Sequence, residues 1–151
     1  MAGIKDKKFT YKTTVTWKEE MKGFLCSFGK ETIEISTPPE FKGHEGIWTP
    51  EDLFVASVNA CIKTTFLYYA KKEGLKFLSY ESEAEGVLER VEKQFLFSEI
   101  KVLPKIEVAS NDDIEKAREL VELSKKNCLI SNSIKSKVTV LPVVTSKPKG
   151  E

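Results

Sequence analysis

Between Thr49 and Gly74 the chain carries a helical run that is apolar on nearly every side, and no other segment constrains the fold as tightly. Thr49 offers an N-cap hydroxyl, Pro50 suits the first helical position, and Glu51 and Asp52 place carboxylates in the first turn, where they favour the dipole. From Leu53 to Ala70 the polar interruptions are mainly Ser57, Asn59, Lys63, Thr64 and Thr65, and Gly74 follows as a stop after Glu73. A helix without a wet face needs cover on both sides, which predicts a central, buried element. A chain of 151 residues has few elements for that purpose. A homodimer in which the sheets of two subunits enclose paired central helices is therefore expected.

The flanking segments read mostly as strands. Phe9, Tyr11, Thr13, Val15 and Trp17 alternate with polar residues, the period of a half-buried strand, and Gly23 to Phe28 and Glu31 to Ser36 repeat that pattern around Gly29-Lys30. An N-terminal antiparallel sheet is expected, then a loop over 37–48. Beyond the helix, Leu75 to Leu88 and Phe95 to Val108 predict two long strands paired as a hairpin, the second bent at Pro104. Ser110 or Asn111 caps a second helix with Ile114, Ala117, Leu120, Val121 and Ser124 on one face, and Lys137 to Val144 closes the chain as a last strand. Residues 147–151 are expected to fray. Strands, helix, strands, helix, strand is the order of an α+β domain, here a single one over 1–151.

Composition narrows the function. Lysine plus arginine number 24 against 23 aspartates and glutamates, a net charge of +1, so there is no basic field for nucleic acid. No apolar run approaches transmembrane length and no signal-peptide core follows the first lysines, which predicts a cytoplasmic protein without membrane contact. Three cysteines do not make a disulfide framework in a reducing compartment, so any pair that matters is catalytic or redox-active. His44 is the sole histidine and sits in a glycine-rich loop, which removes support for zinc sites and Cys-His proteolysis. No phosphate-cradling glycine loop is present, and no cofactor is called for.

Two cysteines have contexts that suggest chemistry. Cys61 lies about three turns into the central helix, beyond reach of its N-terminal dipole, so it is either a small apolar filler or a thiolate that needs a cation. Cys128 follows the second helix. It either fills a junction or sits at the start of a short helix over 128–133 capped by Asn127. Cys26 alternates with Phe24 and Phe28 and is expected to pack in the core. Glu51 is either a partner of the helix dipole or the holder of an arginine that in turn serves the thiolate, and Arg90 is either a solvated ion pair or that arginine.

The runs Trp48-Thr49-Pro50-Glu51-Asp52-Leu53-Phe54 through Cys61, and Leu123-Ser124 through Cys128 to Ser133, resemble the two signature regions of the OsmC/Ohr family of thiol peroxidases. The likeness extends from about Val15 to Val144 in the order of strands and helices. It implies the OsmC-like fold, antiparallel sheets around a buried central helix in an intertwined homodimer, with active sites at the subunit interface that reduce organic hydroperoxides. Cys61 would match the attacking cysteine, Cys128 the resolving one, and Glu51 the carboxylate that orients the catalytic arginine. Better-known members supply that arginine from the N-terminal strands, whereas Trp17 to Gly23 here contains none. A third branch has an arginine before a Phe-x-Phe-x-x-Ile strand, which Arg90 before Phe95-Leu96-Phe97-Ser98-Glu99-Ile100 resembles. The implied partners are an organic hydroperoxide and a dithiol reductant, thioredoxin or a lipoylated protein. The alternative is a redox sensor or binding module that uses the same cysteines without efficient turnover.

Overall fold

The computed structural model describes residues 7–147, so the expected frayed tail lies, apart from Lys147, outside the described residues. Backbone contacts gather into two compact units, Met1–Leu53 and Phe54–Glu151.

The first unit is a three-stranded antiparallel sheet, β1 (Thr14–Glu19), β2 (Lys22–Cys26) and β3 (Ile33–Ser36), in that order. Pairing begins at Thr14 rather than Phe9. Gly23 lies opposite Trp17, and a Cβ there would stand 2.2 Å from the Thr16 carbonyl oxygen, so the closeness of β1 and β2 requires glycine. The expected half-burial of β1 is not met within the chain. All six of its residues are exposed, Val15 at 61% and Trp17 at 77%. Alternation decides which side chains share a face, and no described residue of its own unit covers this one. Cys26 is likewise half-buried rather than in the core, its thiol donating to the Thr14 carbonyl at 3.6 Å. The segment 37–48 is a loop with a 3-10 turn at Pro39–Phe41, and it returns to the sheet where Ser36 N–H donates to the Trp48 carbonyl at 2.9 Å.

Helix α1 (Pro50–Glu73) starts and stops where the sequence indicates. Thr49 Oγ1 accepts from the Asp52 N–H at 3.0 Å while the Asp52 carboxylate accepts from the Thr49 N–H at 3.1 Å, a reciprocal cap. Gly74 takes a φ of +69°, which lets Leu75 N–H return to the Ala70 carbonyl at 2.9 Å.

The second unit contains most of the core. Strands β4 (Phe77–Val91) and β5 (Gln94–Val108) form the predicted hairpin, turning through Glu92 and Lys93, both at positive φ. The closing segment is two strands rather than one. β6 (Lys137–Val140) and β7 (Val143–Ser146) both run parallel to β5, separated at Leu141-Pro142, so this sheet is mixed and not purely antiparallel. β5 is not broken at Pro104, and its register against β4 is intact there. The Val102 carbonyl accepts from Leu141 N–H, and alternation turns the nitrogen of Pro104 to the same side, at the gap between β6 and β7. A missing N–H costs no ladder bond in that gap.

Val58, Ile62, Phe66 and Ala70 of α1 are buried, four residues apart, against β4 and β5. Phe66 meets Phe77 and Tyr80 with ring centroids 5.5 and 5.4 Å away, and Phe54 stacks on Phe97 at 4.9 Å. A Cβ on Gly86 would come within 2.6 Å of Val55, so glycine permits the approach of α1 to β4. Helix α2 (Ile114–Asn127), preceded by a 3-10 turn that Ser110 caps, buries Ala117, Leu120, Val121 and Ser124 as its spacing predicts. Only one face of α1 is covered in the protomer, with Leu67 and Tyr68 exposed, so the expected all-round burial is not met by one chain. By length and composition α1 also reaches what a membrane span requires, a correction to the expectation that no run does. A core helix has the same composition, and burial at every fourth residue of α1 is the pattern of packing on a sheet.

Candidate active site

The structure brings Cys61 and Cys128 together. Cys61 is half-buried on α1, next in the chain to Ile62 of the covered face, while Cys128 ends α2 and is fully buried in the core cluster. Both are free thiols. Their environments split them. Burial pushes the Cys61 thiol up, but a hydrogen bond from Cys128, reinforced by the N–H groups of Ile130 and Leu129, outweighs it and leaves Cys61 below the ordinary thiol range. The Thr65 hydroxyl also lies near this sulfur, yet its one proton goes to the Cys61 carbonyl at 2.8 Å, so the amides and Cys128 carry the stabilisation. Cys128 moves the opposite way. Burial raises it, and donating to Cys61 raises it further, against a smaller pull from Ser131.

The turn after α2 that supplies these amides is tied to itself. Asn132 N–H donates to the Cys128 carbonyl at 3.0 Å, its side chain to the Lys126 carbonyl at 3.1 Å, and Ser133 Oγ to the Leu129 carbonyl at 2.7 Å. Asn127 does not cap this turn, contrary to expectation. Its amide reaches back to the Leu123 carbonyl at 3.0 Å, and the 3-10 turn Ser131–Ser133 begins without a side-chain cap. Main-chain N–H groups at Leu129 and Ile130 thus take part of the role that the sequence assigns to a cation. No side-chain identity signals them, so the sequence does not disclose them.

Glu51 stands in the first turn of α1, and its Oε2 is shut off from solvent without a hydrogen-bond partner among the described residues. A buried carboxylate oxygen left open costs free energy until a donor meets it. Arg90 is exposed near the tip of the β4–β5 hairpin, opposite Phe95. Asn59, two residues before Cys61, donates to the Ser82 carbonyl at 3.1 Å, and Arg90 lies eight positions further along β4. At about 3.3 Å per residue that is roughly 26 Å. That places Arg90 well along the hairpin from the strand position that Asn59 meets. Lys18, another cation near the N-terminal strands, is engaged by Glu34 at 2.9 Å. His44 is half-buried in its loop, its Nε2 3.3 Å from a Glu20 oxygen without hydrogen-bond geometry. Among the described residues no cluster of three or more His, Cys, Asp or Glu side chains is placed to hold a metal ion.

Residues 43–141 match the family model described as OsmC-like protein, which is well over half of the chain. The protein belongs to the OsmC-like family. It is 25% identical over 126 residues to the uncharacterized protein YmaD of Bacillus subtilis, covering 82% of this chain and 84% of that one. Among solved structures, an OsmC-like protein of unknown function from Vibrio cholerae superposes with a TM-score of 0.83 at 21% identity, over 90% of this chain and all of that one. An organic hydroperoxide resistance protein from Elizabethkingia anophelis gives 0.74 at 23% identity, over 94% and 99%. These likenesses establish the α+β OsmC-like fold.

Proposed function

We propose that the protein is a thiol peroxidase that reduces organic hydroperoxides to alcohols. The observation that carries this reading is the split thiol pair, with Cys61 acidified in a half-open position and Cys128 protonated beside it in the core. The Cys61 thiolate attacks the distal peroxide oxygen; a sulfur–oxygen bond forms, the oxygen–oxygen bond breaks, and the alkoxide takes a proton to leave as alcohol. Cys128 then condenses with the sulfenic acid, releasing water and forming the Cys61–Cys128 disulfide. A dithiol, thioredoxin or a lipoylated protein, restores both thiols by exchange.

Two further observations favour a homodimer as the working unit. Apolar side chains of β1 and α1, Val15, Trp17, Leu67 and Tyr68 among them, stand exposed, and the open Glu51 Oε2 needs a donor. Arg90 of a second copy answers that need, its fork meeting the Glu51 carboxylate and its charge serving the alkoxide as it departs. The absence of an arginine from Trp17 to Gly23 and the exposed place of Arg90 near the hairpin tip favour a second reading, a redox sensor of the same fold that is oxidised once. Steady-state consumption of cumene hydroperoxide with a dithiol in excess separates the two. Many turnovers per subunit are expected, and a single stoichiometric oxidation overturns the peroxidase.

A further inference from the structure

Cys128 faces a step for which the reduced site leaves it poorly equipped. In the reduced protein its proton is donated to the Cys61 sulfur, and once peroxide has made Cys61 a sulfenic acid, Cys128 must become the nucleophile from a fully buried position. A buried thiolate needs donors. The titratable group facing Cys128 among the described residues is Cys61, and no lysine or arginine is among the groups that act on it, Lys125 and Lys126 of the adjoining helix included. The sulfur meets Ser131 instead. The Ser131 N–H donates to Cys128 Sγ at 3.5 Å. Its Oγ is closed off from solvent and makes no hydrogen bond of proper geometry among the described residues, so its proton is uncommitted there, yet it stands near enough to the sulfur to favour the thiolate. The neighbouring donors of the turn are spent, Ser133 on Leu129 and Asn132 on Lys126.

The geometry points to Ser131 as the catalytic group of the resolving step: its hydroxyl turns onto Cys128 Sγ and joins its own N–H in holding the thiolate that attacks Cys61. The chemistry rests on the peroxidase reading. The sulfur–sulfur bond forms, the sulfur–oxygen bond of the sulfenic acid breaks, and the departing hydroxide takes the proton that Cys128 gave up and leaves as water. The Cys128 sulfur is oxidised as the Cys61 sulfur is reduced, so no further reagent enters.

Two measurements on Ser131→Ala and Ser131→Thr test this. In a background carrying both Cys26→Ser and Cys61→Ser, thiolate absorbance against pH reports Cys128 alone, and Ser131→Ala should raise its midpoint by about half to one pH unit, the effect of losing one donor to a buried thiolate, with Ser131→Thr restoring it. With Cys61 present, rapid mixing with cumene hydroperoxide should show an unchanged first phase of peroxide consumption and a slower second phase. The sulfenic acid, trapped by dimedone, should persist at least about fivefold longer in Ser131→Ala. An unshifted titration, or a second phase as fast as in the parent protein, overturns the role of Ser131. A Cys61 that peroxide does not oxidise shows in the first phase instead, and overturns the peroxidase together with its resolving step.

Discussion

Strands β1 and β5 carry the same two-residue alternation of apolar and polar side chains, and the protomer treats them differently. In β5, Ile100, Val102, Ile106 and Val108 are at most 1% exposed under α1 and α2, whereas in β1 Val15 and Trp17 remain open. The strands differ less in pattern than in what the chain folds over them. A hydrophobic face announces that it will be covered, and says nothing of which molecule covers it.

The same contrast holds for their cysteines, and the largest effect is expected there. Cys26, in the first unit, gives its proton to a backbone carbonyl, while Cys61 has Cys128 and two amides. Cys61→Ser should abolish peroxide turnover, a loss of at least about a thousandfold for removing a nucleophile, and Cys26→Ser should leave it intact. Cumene hydroperoxide consumption by each variant checks this, and equal losses would erase the distinction between the two contexts.

Packing gives the next largest difference. Phe66 is fully buried between Phe77 and Tyr80, so Phe66→Ala should cost about 3–5 kcal/mol of unfolding free energy. Trp17→Ala should act on association instead, weakening a dimer seen by sedimentation while leaving the unfolding of a dissociated protomer within about 1 kcal/mol. A monomeric parent protein at micromolar concentration would end the argument that a second copy covers β1 and α1.

The elements legible in the sequence are those that depend on local chemistry. The ends of α1 follow from Thr49, Asp52 and Gly74, and the buried face of α2 from its spacing. The features it hides depend on neighbours far along the chain. Pro104 reads as a strand breaker until β6 and β7 are seen to leave a gap beside it, and the same gap divides the final strand in two. Cys61 and Cys128 are legible as candidates by their contexts, but their proximity and their opposite displacements arise from tertiary placement. The amides of Leu129 and Ile130 have no side-chain signature at all.

Arg90→Met probes the part of the site that one chain does not complete. A charge-assisted hydrogen bond in a desolvated site is worth about 1.5–3 kcal/mol, so without it oxidation of Cys61 should slow by roughly tenfold or more. With Arg90 of one subunit serving Cys61 of the other, a mixed dimer of Arg90→Met and Cys61→Ser subunits should recover one working site. Failure of the mixed dimer to regain activity would remove the contribution in trans.

The smallest effect lies on the buried side of α1. The Tyr80 hydroxyl is held under the helix, and burial pushes it from its ordinary 10.0 up to about 12, against a weaker opposing pull from Ser82. Its oxygen makes no hydrogen bond of proper geometry, so burial, which disfavours the phenolate, decides the direction. With the folded value above the unfolded one, the native state retains a proton that the unfolded chain releases, and stability must fall with rising pH between those two values. Below that window Tyr80 contributes fully; above it the contribution is gone. Urea midpoints measured from neutral pH to about 12 should show this alkaline slope in the parent protein and a shallower one in Tyr80→Phe. Equal slopes in the two proteins would mean that burial under α1 does not hold the phenol protonated, and that this face of the helix is less closed than its packing indicates.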